Sequence, residues 1–165
     1  MSVPPEFSGN FYAALKLCED AHNQREQNNR ASAQAHFEQA LKLLCLLSPY
    51  QDVGKEIATT MVWIALVMRE QADYYESTLM LERALVKMFE AYGGDSAKSH
   101  DIFWTLMFLS RSCAEQGDLE GAIEFADRGL VMFYALYDRD QHPPHLEINL
   151  LEYLAEMKRD IDLFV

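Results

Sequence analysis

The sequence contains few of the residues that interrupt helices. Glycine occurs seven times and proline five times among 165 residues, and no stretch is of low complexity. Strand signals are absent, because valine, isoleucine and threonine do not alternate with polar residues between turn dipeptides. Half of the residues are apolar. This composition excludes a disordered chain and favours packed helices, which lose stability from internal glycine and proline.

Cysteine and long apolar runs are also scarce. Cys18, Cys45 and Cys113 are odd in number and widely spaced, which indicates neither a disulfide framework nor a zinc site. Each lies among apolar residues in the sequence, where reduced cysteine acts as a small hydrophobe, so we expect a reducing, cytoplasmic location. The longest wholly apolar run, Met61 to Met68, is too short for membrane insertion. Residues 1–10 resemble no secretory signal.

Basic residues are outnumbered by acidic ones, 14 against 26, and the formal net charge is −12. Such a chain repels phosphate, so nucleic acid and anionic membrane surfaces are unsuitable partners. A protein or peptide with basic flanks is the complementary partner. The alternative is that the charge only maintains solubility.

Catalytic motifs are absent as well: there is no GxSxG, no P-loop and no GxGxxG. Ser99-His100-Asp101 contains a His-Asp dipeptide, but we expect it to cap a helix. His142 and His145, near Asp138 and Asp140, could bind a metal ion. The alternative, a polar linker before a proline-initiated helix, fits this stretch better. We therefore predict no enzymatic activity and no cofactor.

Turn signals divide the chain into seven segments with helical periodicity. Asp73, with Glu76 three residues later, and Asp118 are the predicted N-caps of the fourth and sixth helices. The seven segments cover about residues 10–27, 30–47, 53–71, 73–93, 97–116, 118–137 and 143–162.

The second, fourth and sixth segments share one pattern, in which small residues at helical spacing precede a leucine. The leucine recurs after 44 and then 45 residues, which indicates an internal repeat. Small residues let two helices approach closely. The pattern consists of Ala33, Phe37, Ala40 and Leu41; Ser77, Leu81, Ala84 and Leu85; and Ala122, Ala126, Gly129 and Leu130.

The first, third and fifth segments repeat in step, each placing a large apolar residue one turn before a small one. The pairs are Leu17 with Ala21, Met61 with Ala65, and Leu106 with Ser110. The sequence therefore predicts a single domain, residues 10–165, after an N-terminal extension of residues 1–9. Three helix pairs occupy about residues 10–48, 53–93 and 97–137, and a capping helix occupies about residues 143–162.

This pattern resembles the tetratricopeptide repeat. The copy most like the family's is the run from Glu115 to Ala122, in which Gly117-Asp118 closes one helix and caps the next. Gly93-Gly94-Asp95 resembles the linker of the longer-helix version found in kinesin light chains. The resemblance implies an all-α, right-handed superhelix of antiparallel helix pairs. It also implies a concave groove, lined by the first helix of each pair, that binds a peptide or a partner's helix.

By this resemblance, several side chains of the first helices are candidates for the groove. Arg69 and Arg111 are the expected polar anchors, because guanidinium recognises carboxylate and carbonyl groups with a rigid fork. Alternatively, the charges pair within or between repeats. Trp104 is a candidate for groove exposure, whereas Trp63 is expected between helices. The candidates are His22, Arg25, Val62, Leu66, Arg69, Trp104, Met107 and Arg111.

The predicted function is a non-enzymatic scaffold, adaptor or regulator that binds a protein segment in this groove. Cys18, His22, Val62 and Leu66 replace the Lys, Asn and Arg of the subfamily that grips chaperone tails, so we expect a different ligand. The alternative is a self-assembling, homo-oligomeric repeat protein. The apolar C-terminus, Leu163-Phe164-Val165, could either fold back or mediate self-association.

Overall fold

A computed structural model describes residues 4–94, 96–137 and 144–164. Within these ranges the chain forms a 3-10 turn, seven α-helices and no strand, which confirms the seven predicted helices. The 3-10 turn is Pro5–Phe7. The helices are α1 (Asn10–Glu26), α2 (Arg30–Leu47), α3 (Gly54–Glu70), α4 (Tyr74–Tyr92), α5 (His100–Glu115), α6 (Leu119–Leu136) and α7 (Pro144–Phe164).

The helices pack as three consecutive antiparallel pairs, α1–α2, α3–α4 and α5–α6, and α7 packs on α6. The predicted small residues lie at the helix crossings, as their burial shows. At the α5–α6 crossing, a Cβ on Gly129 would lie 2.9 Å from the sulfur of Met107, so glycine there permits a close approach. The predicted small residues of the second helices that are fully buried are Ala33, Ala40, Ser77, Ala84, Ala122 and Ala126.

The turn inside each pair has the same backbone geometry. Asn28, Ala72 and Gly117 occupy equivalent positions, 44 and 45 residues apart, and have φ angles of 64°, 67° and 81°. In each turn the backbone N–H of the third residue after the helix donates to a carbonyl of the last helical turn, as from Asp118 to Cys113 at 2.9 Å. This left-handed ending reverses the chain tightly, so the second helix lies back along the first.

Two of the three predicted helix-capping side chains make a capping hydrogen bond. The Asp118 carboxylate accepts the Gly121 N–H at 3.0 Å, and the Ser99 hydroxyl accepts the Asp101 N–H at 3.1 Å. Because Ser99 is extended, α5 begins at His100 rather than near Ala97. The predicted side-chain cap at Asp73 is wrong, since its carboxylate makes no capping bond. Its backbone N–H is instead held by the turn that ends α3.

The expectation that all three cysteines lie in apolar surroundings is wrong for Cys45, which is exposed. On α2 the buried face carries Ala40, Leu44 and Leu47, and Cys45 is rotated about 100° away from Leu44. Cys113 is buried and Cys18 is partly buried.

Some residues of the sequence predictions lie outside the described ranges. Asp138, Asp140 and His142 of the weighed metal site lie outside the described residues, as does Val165. No helix among the described residues is long and apolar enough to cross a membrane.

Candidate functional site

One face of the molecule is built from the first helices of the pairs, α1, α3 and α5. The His22 ring on α1 meets the Trp63 ring on α3 edge-on, with centroids 4.5 Å apart. Cys18 on α1 lies with its sulfur 3.9 Å from the hydroxyl of Thr60 on α3. Helices α3 and α5 also contact each other directly. Side chains on these three helices therefore share one continuous surface.

At the C-terminal ends of these helices, arginine and glutamate pair from one repeat to the next. The Arg25 guanidinium on α1 donates to the Glu70 carboxylate on α3, with its Nε at 2.7 Å. Arg69 on α3 lies 3.6 Å from the Glu115 carboxylate on α5. The pairing between adjacent repeats, weighed above as the alternative to partner binding, is therefore present for both arginines.

A second arginine approaches each of these carboxylates. Arg30 lies 3.6 Å from Glu70, and Arg111 lies 4.0 Å from Glu115. The Arg69 side chain is 20% exposed and one of its terminal nitrogens is buried, whereas the Arg111 side chain is 65% exposed. Arg111 is therefore the accessible member of the predicted anchor pair.

An apolar cleft of about 220 Å³ lies between α3 and α5, and we call it the Trp104 cleft. Trp104 is 45% exposed and forms one wall, with its ring stacked at 6.3 Å against that of Phe108. Val62 and Leu66 line the cleft from α3 and are almost fully buried. The remaining lining residues are Thr59, Trp63, Met88, Asp101 and Thr105.

A second cleft of about 260 Å³, the Trp63 cleft, adjoins it between α1 and α3. Thr59, Trp63 and Asp101 line both clefts, which makes them two parts of one groove. Leu15, Cys18, His22, Lys55, Glu56 and Tyr92 are among its other lining residues.

His22 contributes an uncharged ring to this groove. Its ring lies edge-on to both Phe37, at 5.0 Å, and Trp63. Burial lowers the pKa of the His22 imidazole, and the Arg25 guanidinium lowers it further, while Glu26 acts in the opposite direction. The groove therefore favours the neutral imidazole.

The structure brings together four of the predicted site residues, His22, Val62, Leu66 and Trp104, as lining of the two clefts. Arg25 lies in a neighbouring polar cleft with Arg30 and Glu70. Trp63, expected between helices, is only partly buried and reaches the groove.

Met107 lines neither cleft. It packs toward Phe103 and Phe133, where Gly129 leaves room for its side chain. The position of Met107 therefore does not support its predicted role in the floor of the groove.

Several groove residues were not among the candidates, notably Thr59, Asp101 and Phe108. The distance between equivalent positions of successive repeats could have identified them from the sequence. Thr59 and Trp104 are 45 residues apart, as are Trp63 and Phe108, so each occupies the same position on successive first helices.

The Cys113 thiol and possible metal-binding side chains were also considered among the described residues. Burial is the main reason that the pKa of the Cys113 thiol is raised to about 11, which keeps the thiol protonated near neutral pH. Across residues 4–94, 96–137 and 144–164 there is no group of three or more His, Cys, Asp or Glu side chains suited to a metal ion.

Solved structures with this arrangement share little sequence with it. The N-terminal domain of stress-induced protein-1 (STI-1) from C. elegans has a TM-score of 0.67 and 18% identity, over 92% of this chain and 98% of that one. The TPR2AB-domain:pHSP90 complex of yeast Sti1 has a TM-score of 0.63 and 15% identity, over 90% of this chain and 47% of that one. The chain has the tetratricopeptide-repeat fold.

The predicted all-α, right-handed superhelix of antiparallel pairs is thereby confirmed. No protein-family model matches the sequence. No curated protein matches it either. The kinesin-light-chain version of the tetratricopeptide repeat stays a prediction.

Proposed function

We propose that this protein is a non-enzymatic, cytoplasmic scaffold or adaptor that binds a partner's peptide or helix in the groove formed by α1, α3 and α5. The observation that carries the proposal is the exposure of Trp104, 45%, beside the apolar Trp104 cleft. A large aromatic side chain that remains partly in water beside an apolar cleft is typical of a surface that becomes buried when a partner binds.

The groove offers few strong polar anchors, because Arg25 and Arg69 already contact Glu70 and Glu115. Arg111 lines neither cleft, but its exposed guanidinium at the C-terminal end of α5 is a donor that a partner can reach. Apolar contact with Trp104, Val62 and Leu66 therefore supplies most of the affinity. The net charge of −12 favours partners with basic flanks.

The yeast Sti1 structure in complex with pHSP90 supports this proposal at the level of fold, since its chain is a tetratricopeptide-repeat structure solved with a protein ligand. Identity of 15% carries no ligand from one chain to the other. The groove residues of this chain therefore define the ligand that we expect.

A phage-displayed library of random twelve-residue peptides tests the proposal. We expect the wild-type chain to enrich peptides with a bulky apolar residue, and Trp104→Ala to weaken their binding at least about tenfold, because truncating a hot-spot aromatic costs about 2 kcal/mol or more. Tyr75→Ala is the matched control, since Tyr75 is an exposed aromatic on α4 that lines neither cleft. Equal binding by both variants would contradict the proposal.

Self-assembly is a second candidate, and one observation favours it. Ile148 and Leu151 on α7 are 52% and 44% exposed, although they are equivalent to the buried Phe103 and Leu106 of α5, 45 residues earlier. Such a face suits a homo-oligomeric contact. Light scattering on a sizing column distinguishes a 19.0 kDa monomer from a dimer.

A further inference from the structure

Two acidic residues occupy equivalent positions in the groove. Glu56 lies in the first turn of α3 and Asp101 in the first turn of α5, 45 residues later. Their surroundings repeat as well: Thr60 donates its hydroxyl to the Glu56 carbonyl and Thr105 to the Asp101 carbonyl, both at 2.7 Å. Both acids line the Trp63 cleft, and Asp101 also lines the Trp104 cleft.

These two acids differ from those at the other end of the same helices. Glu70 and Glu115 each lie near two arginines. By contrast, no lysine or arginine among the described residues forms an ion pair with Glu56 or Asp101. The groove therefore has a neutralised end and an acidic end.

The cation at the acidic end, Lys55, does not pair with either carboxylate. Its ammonium lies 4.4 Å from the centroid of the Tyr92 ring. Tyr92 in turn donates its hydroxyl to the Asp101 carboxylate. The pKa of Tyr92 is raised, chiefly by burial, and the charges of Asp101 and Glu56 add to the shift. Both carboxylates and Tyr92 line the same cleft.

The acidic end adjoins the apolar part of the groove. Trp104 lies one turn after Asp101 on α5, so the two side chains are neighbours on one helix face. A ligand side chain that enters the Trp104 cleft therefore places the adjoining residues of its chain beside Asp101. Apolar and cationic groups of one short segment can be bound together there.

Resting on the proposed function, we propose that the occupant of the groove is an extended basic segment. Two of its lysine or arginine side chains, three residues apart, contact Glu56 and Asp101, and a bulky apolar side chain beside them enters the Trp104 cleft. The spacing follows from geometry. Packed helices lie about 8–10 Å apart. A polyproline II segment repeats its orientation every three residues, over about 9 Å.

The test uses the phage-displayed twelve-residue library on the full chain, followed by sequencing of the enriched peptides. We expect Lys or Arg at two positions three apart, next to a bulky apolar residue. We expect Asp101→Asn and Glu56→Gln each to weaken binding of an enriched synthetic peptide about fivefold, as for partly solvated ion pairs. The double variant should weaken it about 25-fold, because the free energies of independent contacts add.

Glu120→Gln is the matched control, since Glu120 is an exposed acid in the first turn of α6 that lines neither cleft. It removes the same charge, so nonspecific attraction of basic peptides to an acidic protein would respond equally to it. Asp101→Lys should in addition select an acidic residue at one of the two basic positions. Circular dichroism melting shows that each variant is folded.

The outcomes separate this inference from the proposed function. Enriched peptides that depend on Trp104 but carry no basic pair at a spacing of three would overturn the inference and leave the proposed function standing. Equal effects of Asp101→Asn and Glu120→Gln would also overturn it. If the wild-type chain enriches no peptide, or the enriched peptides bind Trp104→Ala unchanged, both fail.

Discussion

At the scale of single residues, the turns inside the helix pairs show how one backbone geometry is met by three different side chains. Asn28, Ala72 and Gly117 all have left-handed φ angles. Glycine adopts this conformation without steric strain and asparagine tolerates it, whereas alanine brings its Cβ against the backbone. Ala72 is therefore the strained member of the series.

Ala72→Gly should stabilise the protein by about 1 kcal/mol, because it removes this strain at an exposed turn position. Urea denaturation followed by circular dichroism measures the change in the free energy of unfolding. Ala35→Gly is the control with the opposite sign: Ala35 is exposed inside α2, where glycine costs about 0.5–1 kcal/mol. A loss of stability in both variants would show that Ala72 is not strained.

At the scale of helices, the pairs depend on small residues where second helices cross first helices. Ala84 on α4 is fully buried and belongs to the central hydrophobic core. Ser77, two helical turns before Ala84 on α4, donates its hydroxyl to the Ala65 carbonyl of α3 at 2.7 Å. Side chains this short keep the two backbones close, and a larger side chain would separate them.

Ala84→Trp should therefore lower the free energy of unfolding by about 1–3 kcal/mol or more, since overpacking forces the two helices apart. The midpoint of urea denaturation reports this change. Arg83→Trp is the control, because Arg83 is the preceding residue on α4 and is exposed, so tryptophan there should change stability by about 0.5 kcal/mol or less. Similar midpoints for the two variants would place the crossing elsewhere.

At the scale of the whole molecule, each repeat contacts its neighbours, and the arginine–glutamate pairs join successive first helices. Glu70 contacts Arg25 from α1 and Arg30 from α2, so one carboxylate of the second repeat connects both helices of the first. All three side chains are partly shielded from water, the Glu70 side chain being 24% exposed. Repeat proteins derive much of their stability from such interfaces between neighbours.

Glu70→Gln should lower the free energy of unfolding by about 1–2 kcal/mol, because two guanidinium groups lose a charged acceptor in a partly shielded site. Hydrogen exchange should become faster in α1 and α2 than in α5 and α6. Glu19→Gln is the matched control, since the Glu19 contact with Lys16 is far more exposed, with side-chain exposures of 66% and 63%. It should change stability by less than about 0.5 kcal/mol. Uniform acceleration along the chain would contradict this role for Glu70.

Local signals along the chain were enough to predict the helices, their pairing and the crossing points. These depend on local periodicity, turn chemistry and the recurrence of small residues, all of which are readable along the chain. The helix that Asp118 caps and the fully buried Ala126 were both predicted in this way.

The contacts between side chains of successive first helices could not be predicted in this way. Arg69 and Arg111 were both predicted as polar anchors of the groove, but Arg69 is largely buried against Glu115 while Arg111 stays exposed. Met107 falls in the same predicted face as Val62, yet Gly129 opposite it lets its side chain pack inward. Such choices depend on contacts between residues distant in sequence, where space and charge compete. Periodicity predicts the direction of a side chain. The residue that it contacts depends on which side chains the neighbouring helix places close to it.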